Sequence, residues 1–191
     1  MGYYYLGAQL PYLIYGQTPP MSSASFRALA SEQMRSADAA LLEYCTLDPD
    51  PVKPGDSGAT YAEQAHSTRS KLINQWKEWE RALRLNLAKN RAIKLKRDAG
   101  PGIEAPGIPA EAVLAAKNAM AIESPLEAEL FLGKARWDAI ESFEGLNIFC
   151  ETAMYAYLLK LLLMERRAAF KSEEGFTEYK GLYAAILGEP K

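Results

Sequence analysis

The chain has 191 residues, room for one domain or at most two small ones, and long enough to bury about 70% of its unfolded surface without staples. Its 22 basic and 24 acidic residues leave a net charge of −2, which argues against non-specific nucleic-acid binding by the whole molecule. Two cysteines, Cys45 and Cys150, exclude a disulfide framework, and a lone histidine, His66, excludes a multi-histidine metal site.

The chain opens on YYYLGAQLPYLIYG, residues 3–16. Tyr3, Leu6 and Leu10 have helical spacing, whereas the tyrosines and Ile14 favour strand, so both conformations stay open. Pro11 limits any first helix to about residue 10. The segment is apolar enough to lie against the core. It lacks the basic and apolar regions of a secretory signal, and Leu6 stands where an acylation signal carries Ser or Thr. A reducing cytoplasm is the expected location, possible contact with a membrane being peripheral.

After a turn at Gln17–Pro20, Ser23 is expected to cap a helix carrying Phe26, Leu29 and Ala30, and Ser36 with Asp38 to start another through Leu41, Leu42 and Tyr44. Thr46–Ala59, rich in Pro, Asp and Gly, is an exposed loop. Thr60 and Glu63 form a capping box. The following stretch, residues 61–98, holds neither Pro nor Gly and predicts one long helix. Such a helix runs about 57 Å, against a radius of gyration of about 16 Å for a compact domain of this size. It therefore projects from the body or breaks, with Asn86 and Asn90 as the breaking points. Its apolar seam is Ala65, Leu72, Trp76, Trp79, Leu83 and Leu87, and Glu80 and Arg84 are spaced for an i,i+4 pair.

From Arg81 to Arg97 the chain carries no acid. Arg81, Arg84, Arg91, Lys94 and Arg97 are the candidate partner contacts on this face. It is a solvated helix end favoured by the macrodipole, a contact surface for an acidic protein or anionic lipid, or, last, a nucleic-acid site; no aromatic residue follows Trp79 in the run, so base stacking is unsupported.

Ala99–Pro109 is a second loop, with Pro109 at the first position of a short Ala-rich helix to about Ile122. Ser124, Pro125 and Glu127 then start a helix burying Leu126, Leu130, Trp137 and Ile140 and stopping at Gly145. On it Asp138, Glu141 and Glu144 form a row read as a solvated face. Asn147 is expected to cap the run LNIFCETAMYAYLLKLLLMERRAAF, whose apolar side chains fall on every side of a helix, Cys150 among them as a small hydrophobe. Glu151 and Lys160 interrupt it about 180° apart, so it reads as a buried central helix and not as a membrane span. Glu151, buried, would need a partner, an arginine from a neighbouring helix being expected. Ser172 starts a last helix with Phe176, Tyr179, Leu182 and Ile186 inward and Gly188 at its end.

The fold expected is all-α: a single helical domain, 1–191, bundled around a central apolar helix at about 148–170. No phosphate-cradling loop, nucleophile elbow or CxxC is present. His66 reads as a surface residue. No catalytic residue, metal site or cofactor is expected.

Three stretches together carry a resemblance: YYYLGAQLP at the start, WKEWERALRLNLAKNRAIKL in the middle, and the tail SPLEAELFLGKARWDAIESFEG with FCETAMYAYLLKLLLMERRAAF and EEGF. The most specific parts are W-x-x-W-E-R-x-L-R over Trp76–Arg84, P-L-E-A-E over Pro125–Glu129, and Arg136-Trp137. The chain resembles a bacterial family encoded beside the subunits of V/A-type rotary ATPases, itself similar to the all-helical socket subunit called C or d. The resemblance implies a non-catalytic subunit or assembly factor linking the central stalk to the membrane ring, whose partners are other subunits of that ATPase rather than nucleic acid. Such a coupler must be stiff and present two binding surfaces; the basic helix end and the aromatic start are the candidates. The alternative is a stand-alone helical interaction or regulatory module using the 81–97 face.

Overall fold

The structure is a computed structural model and describes residues 2–48, 68–96 and 107–170. Among these, every regular element is a helix: α1 (Tyr4–Gln9), α2 (Ser23–Gln33), α3 (Ser36–Ala39) with a 3-10 turn (Ala40–Tyr44), α4 (Lys71–Lys94), α5 (Ala110–Ala121), α6 (Pro125–Glu144) and α7 (Glu151–Ala168). No described helix is long and apolar enough to cross a membrane.

Helix α7 lies at the centre. It contacts α2, α4 and α6, and the segment 3–16 runs alongside it. Met154, Tyr155, Leu158, Leu159, Leu161, Leu163 and Met164 are all buried. With neighbours on so many sides, apolar side chains all round are the stable arrangement. The helix starts at Glu151, later than its apolar pattern suggests. Asn147 does not cap it: its Oδ1 accepts from the Phe149 amide at 3.0 Å, turning the chain before the helix begins. Cys150 is the capping residue, half-buried, and donates to the Asn147 carbonyl. Leu146 and Ile148 are exposed.

Helix α4 is continuous through Asn86 and Asn90; Asn86 Nδ2 donates to the Ala82 carbonyl one turn back. The long helix is shorter than its Pro- and Gly-free stretch, because Thr68, Arg69 and Ser70 are not helical. Ser70 caps it, accepting from the Ile73 amide, and the Asn74 side chain closes the turn before it on Thr68. The 24 residues span about 36 Å. Leu72, Trp76, Trp79, Leu83 and Leu87 form the buried seam as expected. Residues 91–96 are exposed apart from Ala92, so the last turn projects from the body. Thr60, Glu63, Ala65 and His66 lie outside the described residues, as do Arg97 and the last helix expected from Ser172.

Helix α5 packs Ala112, Ala115, Ala116 and Ala119 against the body, chiefly against α4. Side chains this small let the two backbones approach closely. Pro109 is its capping residue and not its first position. In α6, Ser124 Oγ accepts from the Glu127 amide, Pro125 fills the first position, and Gly145 ends the helix at φ +76°, where L side chains are strained. Trp137 and Ile140 are buried, Leu130 is half-buried, and Leu126 is exposed on the first turn. Helix α2 is capped by Ser22, one residue before the expected Ser23. Ser23 instead gives its amide and hydroxyl to the Glu165 carboxylate of α7 at 2.6 and 2.7 Å. That anion sits on the amide end of α2, where the macrodipole favours it. Arg35, not Ser36, precedes α3.

Candidate functional site

Among the described residues, the most buried charges form a knot between α4 and α6. Glu80 and Arg136 are 7% and 6% exposed, and the Arg136 guanidinium reaches the carboxylate with two N–H groups at 2.9 and 3.0 Å. Arg84 adds a third bond to Glu80 at 2.7 Å and donates to the Leu47 carbonyl. Charges this deep persist only when paired and hydrogen-bonded, and the planar guanidinium fork fits a carboxylate at two points. Trp76 Nε1 binds the Thr46 carbonyl beside them at 3.0 Å. The knot joins three parts of the chain and leaves no free carboxylate for acid–base work. It was readable only in halves: the 80/84 spacing is visible in sequence, the partner 56 residues away is not.

The knot also divides the basic face. Arg84 is half-buried and held by Glu80 and the Leu47 carbonyl. Arg81 is half-buried, and among the described residues its Nε meets no hydrogen-bond partner. Arg91 and Lys94 are exposed on the projecting turn. Of the expected contacts, Arg91 and Lys94 are thus exposed, Arg81 and Arg84 are half-buried, and Arg97 lies outside the described residues.

The acids also differ from expectation. Glu151 is half-buried in the first turn of α7, where the helix dipole favours its charge, and the arginine that feels it is the exposed Arg35 at the start of α3. The buried carboxylate is Glu80. Glu144 and Glu141 are not simply solvated: both face Lys160 of α7, at 2.6 and 3.6 Å, and Lys160 also lies over the Trp137 ring. Asp138 is exposed and pairs with Lys134. Among the described residues no group of three or more His, Cys, Asp or Glu side chains could hold a metal ion.

A second surface is built by the start of the chain. Residues 3–16 form a strap laid along α7. At one end the Tyr3 amide donates to the Phe149 carbonyl at 2.5 Å, and the Tyr3 hydroxyl binds Asp38. In the middle the Tyr157 hydroxyl donates to the Pro11 carbonyl at 2.9 Å. At the other end the Tyr15 hydroxyl donates to the Leu130 carbonyl, and Arg167 lies over its ring. The first helix does end before Pro11, at Gln9.

Tyr3, Leu6 and Leu13 point into the core, whereas Tyr4, Tyr5 and Tyr12 are 67%, 76% and 87% exposed. The Tyr4 ring packs tilted against Phe149, centroids 4.9 Å apart, and Leu146 and Ile148 are exposed. At about 200 Å² per ring, the three tyrosines alone present on the order of 450 Å². Residues 1–26 hold no charged side chain.

Burial pushes the Tyr157 hydroxyl up to about 12, and burial with the Asp38 hydrogen bond raises Tyr3. Burial likewise pushes the Cys45 thiol up to about 12, leaving it an inert core residue. No protein-family model, curated protein or solved structure matches the chain.

Proposed function

We propose that the chain is a non-catalytic helical subunit or assembly factor of a V/A-type rotary ATPase, linking the central stalk and the membrane ring. The observation that carries this reading is the strap: an uncharged, tyrosine-rich surface tied to a tightly knotted bundle at three places, at Phe149 and Asp38, at Tyr157 of the central helix, and at Leu130 and Arg167. A part that transmits torque needs a stiff body and rigid exposed anchors, and aromatic anchors dominate binding energy at interfaces. The all-helical architecture agrees with what the resemblance implies, and its most specific stretches, Trp76–Arg84 and Arg136-Trp137, supply the Glu80–Arg136 knot.

Affinity purification of the tagged chain from its own cells tests the reading. A stalk or ring subunit in the eluate is expected, and an eluate without either rejects it. A second reading, a stand-alone interaction module on the 81–97 face, is favoured by the exposure of Arg91 and Lys94. It gives a partner that comes down with the wild type and is lost on reversing those two charges.

A further inference from the structure

The projecting end of α4 combines two features. Lys89, Arg91, Lys94 and Lys96 are all exposed, and among the described residues none of them joins an ion pair. Between them, Ile93 and Leu95 are 63% and 64% exposed. The run from Arg81 to Lys96 has no acid to offset the cations. The helix ends at Lys94 and Lys96 adopts φ +52°, so its last turn and the two residues after it carry both the basic and the apolar side chains.

We infer that this tip docks directly on an anionic lipid surface. An acidic protein would satisfy the cations and leave Ile93 and Leu95 in water unless it also offered a socket for a convex end. A lipid headgroup layer takes both kinds of side chain: the cations lie at the phosphate level on long apolar stems, and the two aliphatic groups enter the boundary below. Each cation near such a surface strengthens binding severalfold, and the attraction fades within a Debye length. The inference rests on α4 alone and holds whether or not the chain joins a rotary ATPase.

The test is co-sedimentation of the full chain with phosphatidylserine–phosphatidylcholine vesicles and with pure phosphatidylcholine vesicles. Binding to the anionic vesicles alone is expected, weakening as salt rises. Arg91→Glu with Lys94→Glu lowers the partition coefficient at least about tenfold. Ile93→Ser with Leu95→Ser lowers it severalfold while the salt dependence remains. All four side chains are exposed, so the melting temperature stays unchanged. Failure to sediment with anionic vesicles, equal sedimentation with both kinds, or variants that bind like the wild type each overturn the inference. So does capture of the tip by poly-glutamate or single-stranded RNA when vesicles are not bound.

Discussion

Arg136 on α6 grips Glu80 on α4 with two N–H groups, although these residues lie 56 positions apart and each side chain is less than a tenth exposed. A pair this dry adds little over an apolar pair of the same volume, but half of it alone is costly. Glu80→Ala strands the Arg136 guanidinium and is expected to destabilise the fold by about 3–5 kcal/mol. Glu80→Leu combined with Arg136→Met is expected to recover most of that loss. Urea unfolding of the single and double variants measures both. Equal destabilisation by the two would show that the pair does more than neutralise itself.

Gly133 is where α6 admits the strap. A Cβ there would come within 2.5 Å of the Tyr15 hydroxyl but only 3.6 Å from its ring carbon Cζ. Gly133→Ala should therefore push the Tyr15 hydroxyl off the Leu130 carbonyl, a loss of about 1 kcal/mol that roughly cancels the gain of Ala over Gly inside the helix. In a Tyr15→Phe background the clashing oxygen is gone, and the same substitution should stabilise by about 1 kcal/mol. Thermal melts of the four combinations form the double-mutant cycle; additive effects would contradict the contact.

The two cysteines should differ in reactivity. Cys45 is fully buried with its thiol pushed up to about 12, whereas Cys150 is half-buried at the start of α7. Brief alkylation of the native chain, read by peptide mass spectrometry, is expected to modify Cys150 well before Cys45. Equal labelling would mean that the core around Cys45 opens readily.

Stability should fall on the alkaline side. The ordinary values are 9.0 for Cys45 and 10.0 for Tyr157, and in the fold both stand near 12. A group whose folded value is raised contributes stability fully below its unfolded value and loses it as pH climbs through the folded one. Burial of these two groups is therefore lost progressively between about pH 9 and 12. Urea midpoints across that range should decline, and less steeply in a Cys45→Ala, Tyr157→Phe variant. A flat profile for the wild type would contradict it.

Much of the helix plan was legible because it follows local rules. Pro11 and Gly145 end helices through their own backbone geometry, Ser124 starts one through its hydroxyl, and the seam from Leu72 to Leu87 is a matter of spacing. The errors lie where distant contacts decide. Ser22 and Ser23 are equal candidates to cap α2 until Glu165 takes Ser23 for itself. The central helix was expected to hide Glu151, but the chain turns at Asn147 and leaves that residue in the first turn; the carboxylate actually buried is Glu80. The basic run looked like one face because its charges share a sequence interval. Arg84 left that face for a carboxylate and a carbonyl that spacing along α4 could show only in part. The aromatic start was legible as apolar. Which tyrosines turn outward depends on how the strap lies on α7.

The strap surface is tested most directly by affinity purification of the wild type beside a Tyr4→Ser, Tyr5→Ser, Tyr12→Ser variant. All three rings are largely exposed, so the variant should melt with the wild type. Stalk or ring subunits are expected to accompany the wild type and to be lost, or reduced at least about tenfold, with the variant. The same subunits recovered equally with both proteins would show that the tyrosines are not the grip.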